Sequence, residues 1–107
     1  METQLSEDIE VLNSLSLVSY LNILGFTPIA EGPNSTNYQV HIDEFLTLTI
    51  DHATNRFHDK ANNRQGSLVD FACILFEITP VELINNISPY RIDELMKESI
   101  RQAAGCL

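Results

Sequence analysis

The chain has 107 residues, 44% of them hydrophobic, and a formal net charge of −9. That length suits a single domain over 1–107 and is too short for two independent cores. The acidic balance argues against nucleic-acid affinity from a whole-surface field, because phosphate binding depends on Lys and Arg displacing counterions.

No run of about 18 apolar residues occurs, and the opening METQLSEDIE is acidic where a signal peptide needs a basic segment. The expectation is a soluble, cytoplasmic protein with no membrane partner. Cys73 sits in an apolar run and Cys106 near the end; both are too few and too poorly placed for a disulfide framework or a zinc site.

Along the chain, residues 1–13 read as a frayed or helical lead-in, with Leu5, Ile9 and Leu12 at helical spacing. SLSLVSYLNILGF offers Ser14 or Ser16 as N-cap, an apolar stripe of Leu17, Val18, Leu21 and Leu24, and Gly25 as terminator. TPIAEGPNST follows, and its prolines and glycine predict a loop. From Asn37 the period becomes two: Tyr38, Val40 and Ile42, then Leu46, Leu48 and Ile50, predict two strands linked at Asp43-Glu44. A turn at Asp51–Asn55 leads to a short third strand beginning Arg56-Phe57-His58.

After the polar stretch Asp59–Gln65, Gly66 can take a backbone conformation closed to other residues, and Ser67 can cap a helix through SLVDFACILFEI. Thr79-Pro80-Val81-Glu82 combines an N-cap, a first-turn proline and a capping-box glutamate. Ser88-Pro89 repeats the cap and proline and opens a final amphipathic helix over 88–104. The predicted fold is α+β: a three-stranded antiparallel meander with helices on one side.

Met1–Asn55 contains no Lys or Arg, whereas Arg56, Lys60 and Arg64 cluster around the central turn with His58. These are residue types that contact phosphates, so Arg56, His58, Lys60 and Arg64 are the candidate nucleic-acid-binding residues. Phe57 reads as a core residue and not a stacking platform. A solvated loop whose cations offset the acidic remainder is the plainer alternative. His41, His52 and His58 have no recognised ligand spacing, and Ser67 lacks a nucleophile elbow, so no catalytic residue is assigned.

The order helix, Gly-Phe, loop, aromatic-led strand, second strand, Asn-Arg-Phe, polar knuckle, Gly-Ser-Leu-Val-Asp-Phe helix resembles the N-terminal zinc-binding domain of bacterial DNA primases and related plasmid and mobile-element replication or mobilisation proteins. The resemblance covers roughly 14–84, with Phe57, Gly66, Val69, Asp70 and Phe71 at family-like positions. It implies that the two knuckle cysteines fall on Asp59 and Asn62, with a lone His41 for the upstream Cys-x-x-His pair. Structural zinc needs four ligands, mostly thiolate and imidazole, so these degenerate metal-site positions imply a zinc-ribbon-like but metal-free domain without a cofactor.

Loss of a structural zinc removes on the order of 10 kcal/mol of metal-linked stabilisation. Hydrophobic burial and side-chain hydrogen bonds within the polar knuckle are expected to replace it. The family's polymerising chemistry resides in a separate carboxylate-bearing domain, which this chain is expected not to contain. The functional expectation is therefore a non-enzymatic accessory domain in DNA replication or mobilisation of a bacterial mobile element. Its expected partners are single-stranded DNA, contacted weakly, or a replication or mobilisation protein. The alternative is an acidic protein-interaction or inhibitor module that does not bind nucleic acid.

Overall fold

The computed structural model describes residues 2–41 and 45–105, with side chains described over 5–40 and 47–100. The elements run α1 (Glu2–Asn13), α2 (Leu17–Ile23), β1 (Pro28–Glu31), β2 (Ser35–His41), β3 (Phe45–Asp51), β4 (Arg56–Asp59), β5 (Arg64–Gly66), α3 (Leu68–Phe76), α4 (Pro80–Asn85) and α5 (Ile92–Gly105). The α+β class holds, but the sheet has five strands in the order β1-β2-β3-β4-β5, all antiparallel, and not three.

The two additional strands are the edges. β1 lies in the segment read as a loop; it is largely exposed, broken in register between Pro28 and Ala30, and followed by Gly32-Pro33. β5 is three residues long and falls in the knuckle and its exit. Strands so short, paired on one side only, carry almost no alternation for a pattern to reveal. The Asp43-Glu44 link, Ile42 and Cys106 lie outside the described residues.

One face of the sheet is buried. Tyr38 and Val40 on β2, Leu48 and Ile50 on β3, and Phe57 on β4 are all nearly inaccessible and meet Leu17, Tyr20, Leu21, Leu68, Phe71, Leu83, Ile92 and Leu95 from the helices. Phe71 is the hub, with edge-on rings at 6.0 Å from Phe57 and 6.5 Å from both Tyr20 and Phe26. The buried tyrosines keep their hydroxyls partnered: Tyr20 donates to the Tyr90 carbonyl (2.8 Å) and Tyr38 to Asn22 Oδ1 (2.8 Å). Cys73 is half-buried beside this core.

Polar side chains fix the helices to the sheet. Asn55 closes the β3–β4 turn at φ +56°, a left-handed conformation that Asn tolerates better than most residues. From there Asn55 Oδ1 accepts from Leu17 N (2.9 Å), and Nδ2 donates to the Leu15 and Asn13 carbonyls at 2.7 and 3.1 Å. Asn13 Oδ1 in turn accepts from Val69 N at 2.9 Å, capping the first turn of α3 from across the fold. Two asparagines thus join the α1–α2 link, the β3–β4 turn and α3.

The helix ends follow local chemistry. Ser16 caps α2, and its exit through Gly25 at φ +101° has the amides of Gly25 and Phe26 donating to Asn22 and Leu21. Thr79, Pro80 and Glu82 form the expected capping box and first turn of α4. Two expectations need correcting. The last helix starts at Ile92 and not Ser88, because Arg91 sits at φ +64° and breaks the helical path. Gly66 does not have a positive φ; it is needed because an added Cβ would lie 2.7 Å from the Cβ and Oδ2 of Asp70. Asp70 Oδ2 accepts from the amide (3.0 Å) and hydroxyl (3.2 Å) of Ser67, which anchors the start of α3.

Candidate nucleic-acid interface

The opposite face of the sheet is open. Register places Asn37 beside Thr49, Thr49 beside His58, and His58 beside Gln65, so one polar row crosses β2, β3, β4 and β5. Gln39 and Thr47 flank it on one side, and Arg56 opposite Asp51 on the other. Gln39, Thr47, Arg56 and Gln65 are exposed, while Asn37, Thr49 and His58 are half-buried. The Oδ1 of Asn37 is buried without a hydrogen-bond donor. Asp51, the carboxylate on this face, accepts from the Thr54 hydroxyl at 2.7 Å, and that bond holds its pKa below the ordinary value.

The knuckle between β4 and β5 is closed by one carboxylate. Asp59 is only 1% exposed. Its Oδ2 accepts from Asn62 Nδ2 (2.9 Å) and from Arg64 Nη2 (3.1 Å) and Nε (3.3 Å), while Oδ1 accepts from the Asn62 amide (3.3 Å). Asn63 at φ +52° completes the turn. Burial alone would raise the Asp59 pKa, but the bonds from Asn62 and Arg64 outweigh it and hold the carboxyl below its ordinary 3.8. Asp59 is therefore the ionised centre of a closed polar clasp.

This arrangement does not fit zinc. Asp59 and Asn62 bond to each other instead of facing a shared centre, and their neighbours are cationic or amide donors. Among the described residues no group of three or more His, Cys, Asp or Glu side chains is placed to hold a metal ion. The backbone of His41 ends β2, but its side chain lies outside the described residues.

Of the four candidates, His58, Lys60 and Arg64 meet at the knuckle, whereas Arg56 lies two residues before His58 and does not border that depression. Arg56 and His58 lie on the open face of β4, and Lys60 stands at the exposed turn. Neither Arg56 nor Lys60 enters an ion pair among the described residues. Arg64 differs: part of its guanidinium is committed to Asp59, although 41% of the side chain remains exposed. His58, Lys60, Arg64, Asn63 and Gln65 border an open depression of about 310 Å³, with Asp59 at its base.

Residues 35–66 hold four acidic and three basic residues, so nearly all of the net −9 lies outside β2–β5, on Glu31 of β1, the helices and their connections. The sequence pointed to the cations by their clustering. Asn37, Gln39, Thr47 and Thr49 were missed, since only strand register brings them beside His58 and Arg56.

His52 lies in a turn and bonds Thr36 Oγ1 at 2.7 Å, and Ser67 is a helix-capping residue; neither joins this surface. Among the described residues no helix is long and apolar enough to cross a membrane. No family model, curated protein or solved structure matches the chain.

Proposed function

We propose that this is a non-catalytic accessory domain that contacts DNA through the open sheet face and the β4–β5 knuckle, in replication or mobilisation of a mobile element. The observation that carries this reading is the placing of Arg56, His58 and Lys60 beside amide and hydroxyl groups of β2, β3 and β5, in a segment, 35–66, whose four acidic residues are nearly balanced by three basic ones. Cations neutralise phosphates, and amides and hydroxyls bond sugar and base edges. Sequence resemblance to the primase zinc-binding domain supports the replication context, and on that resemblance the Asp59 clasp would take the place of the family's metal.

Three or four cations make binding weak and salt-sensitive. The test is fluorescence anisotropy of a labelled oligothymidine at low and physiological salt. The wild type binds at low salt only, and Arg56→Ala with Lys60→Ala reduces the slope of log affinity against log salt by about 1.4, at roughly 0.7 per lost contact. Absence of binding at low salt would exclude the DNA-contacting role.

A second reading, an acidic protein-interaction module, draws on the helical side. α1 carries Glu7, Asp8 and Glu10, and no Lys or Arg precedes Arg56. This reading excludes nucleic-acid binding, and it is the one supported if no oligothymidine binding appears at low salt.

A further inference from the structure

On the side away from the open sheet face, α1, α4 and α5 leave an apolar groove between them. It is lined by Val11 and Leu12 of α1, Ile84 of α4, Ile87, and Met96 of α5, with Asp8 at its edge, and encloses about 290 Å³. The apolar surface continues past the groove: Val11 is 54% exposed, and Ile100, one turn beyond Met96 on the same stripe of α5, is 70% exposed. Large apolar side chains left accessible in one place mark an interaction surface.

The charge beside the groove indicates the occupant. Asp8 is at the groove's edge and Glu7, one turn before Val11, is exposed near it; Glu10 is exposed elsewhere on α1, and Lys97 is the cation next to Met96. A second copy of the chain would bring another −9 to this acidic rim. An apolar floor between helices, bounded by carboxylates, complements an amphipathic helix whose apolar residues at i, i+3, i+4 and i+7 are flanked by Lys or Arg.

We propose that the α1–α4–α5 groove docks a cationic amphipathic helix of a partner protein, seated on Val11, Ile84, Ile87 and Met96 with its cations toward the Glu7 side of α1. The proposal rests on the protein-contact part of the function above and is independent of DNA contact.

The probe is a synthetic amphipathic Leu/Lys helical peptide. A scrambled peptide of the same composition and a Leu/Glu analogue serve as controls, with anisotropy and methyl NMR as readouts. The Leu/Lys peptide binds at least tenfold more tightly than either control and shifts the methyl signals of Val11, Ile84, Ile87 and Met96.

Val11→Lys with Ile100→Lys, both at exposed positions, abolishes peptide binding and does not weaken oligothymidine binding, which separates this proposal from the DNA reading. Should that variant not fold, Glu7→Lys, an exposed charge reversal, lowers peptide affinity severalfold. Equal binding of the scrambled peptide, peptide shifts outside the groove, or unchanged affinity in the folded variants would overturn the proposal. So would self-association of the wild type that Val11→Lys removes, which would give the groove to a second copy.

Discussion

Asn62 donates to Asp59 twice, through its side-chain amide at 2.9 Å and its backbone amide at 3.3 Å, and so closes the knuckle on a carboxylate that is 1% exposed. The proposed primase resemblance would put paired cysteines at these two positions. Here an acceptor and a donor bond to each other, and Arg64 supplies the compensating charge. Asp59→Ala leaves Asn62 and Arg64 without their acceptor and is expected to lower stability by about 2 kcal/mol, discounted for the exposure of Arg64. Asp59→Asn keeps an acceptor for the Asn62 amide and costs less. Urea unfolding of the three proteins checks the order.

The clasp also sets a pH dependence. The folded pKa of Asp59 lies below its ordinary 3.8, so its contribution is complete above about pH 5 and is lost as pH falls through the folded value. In Asp59→Asn this acid-side loss is smaller. At the alkaline end the sign is reversed: burial raises the pKa of both Tyr20 and Tyr38, so their contribution is complete below 10.0 and falls as pH rises beyond it. Tyr38→Phe reduces that alkaline loss. Urea midpoints measured across the pH range give both limbs.

Asn55 is expected to be among the costliest polar positions to replace. It occupies φ +56° and makes three long-range bonds, to Leu17 N and the carbonyls of Asn13 and Leu15. Asn55→Ala loses all three and retains the backbone strain, for about 3 kcal/mol. Asn55→Gly relieves the strain and recovers part of that. Asn55→Asp is no better than Ala, because its second oxygen meets two carbonyls where an amide donated. Thermal unfolding of the series resolves the contributions.

Gly66→Ala tests a close approach rather than a special φ. Its Cβ would fall 2.7 Å from Asp70, whose carboxylate holds the amide of Ser67. A loss of about 1–3 kcal/mol is expected. Gly66→Asn, which suits left-handed backbone, is no more stable than Ala; greater stability of the Asn variant would refute the steric explanation.

Much of the helical architecture was legible because its signals are local: Ser16, Gly25 and Thr79-Pro80-Val81-Glu82 act within a few residues of themselves. The central strands were legible from alternation, and Phe57 was correctly placed in the core. β1 and β5 were not, since a four-residue exposed edge and a three-residue strand in a polar turn leave no period to read. The candidate interface shows the same division. The clustering of Arg56, Lys60 and Arg64 is a sequence fact, whereas the row from Asn37 to Gln65 and the bond from Asn55 to Asn13 depend on pairings between distant segments. The return of Arg64 to Asp59 is set by the β4–β5 register, which pairs them directly.

The most direct test is an amide NMR titration of the protein with oligothymidine at low salt. The account predicts shifts at Arg56, His58, Lys60 and Gln65 and along the row through Thr49 and Asn37, with Val11, Ile84 and Met96 unmoved. Shifts confined to the helical side, or none anywhere, would contradict it.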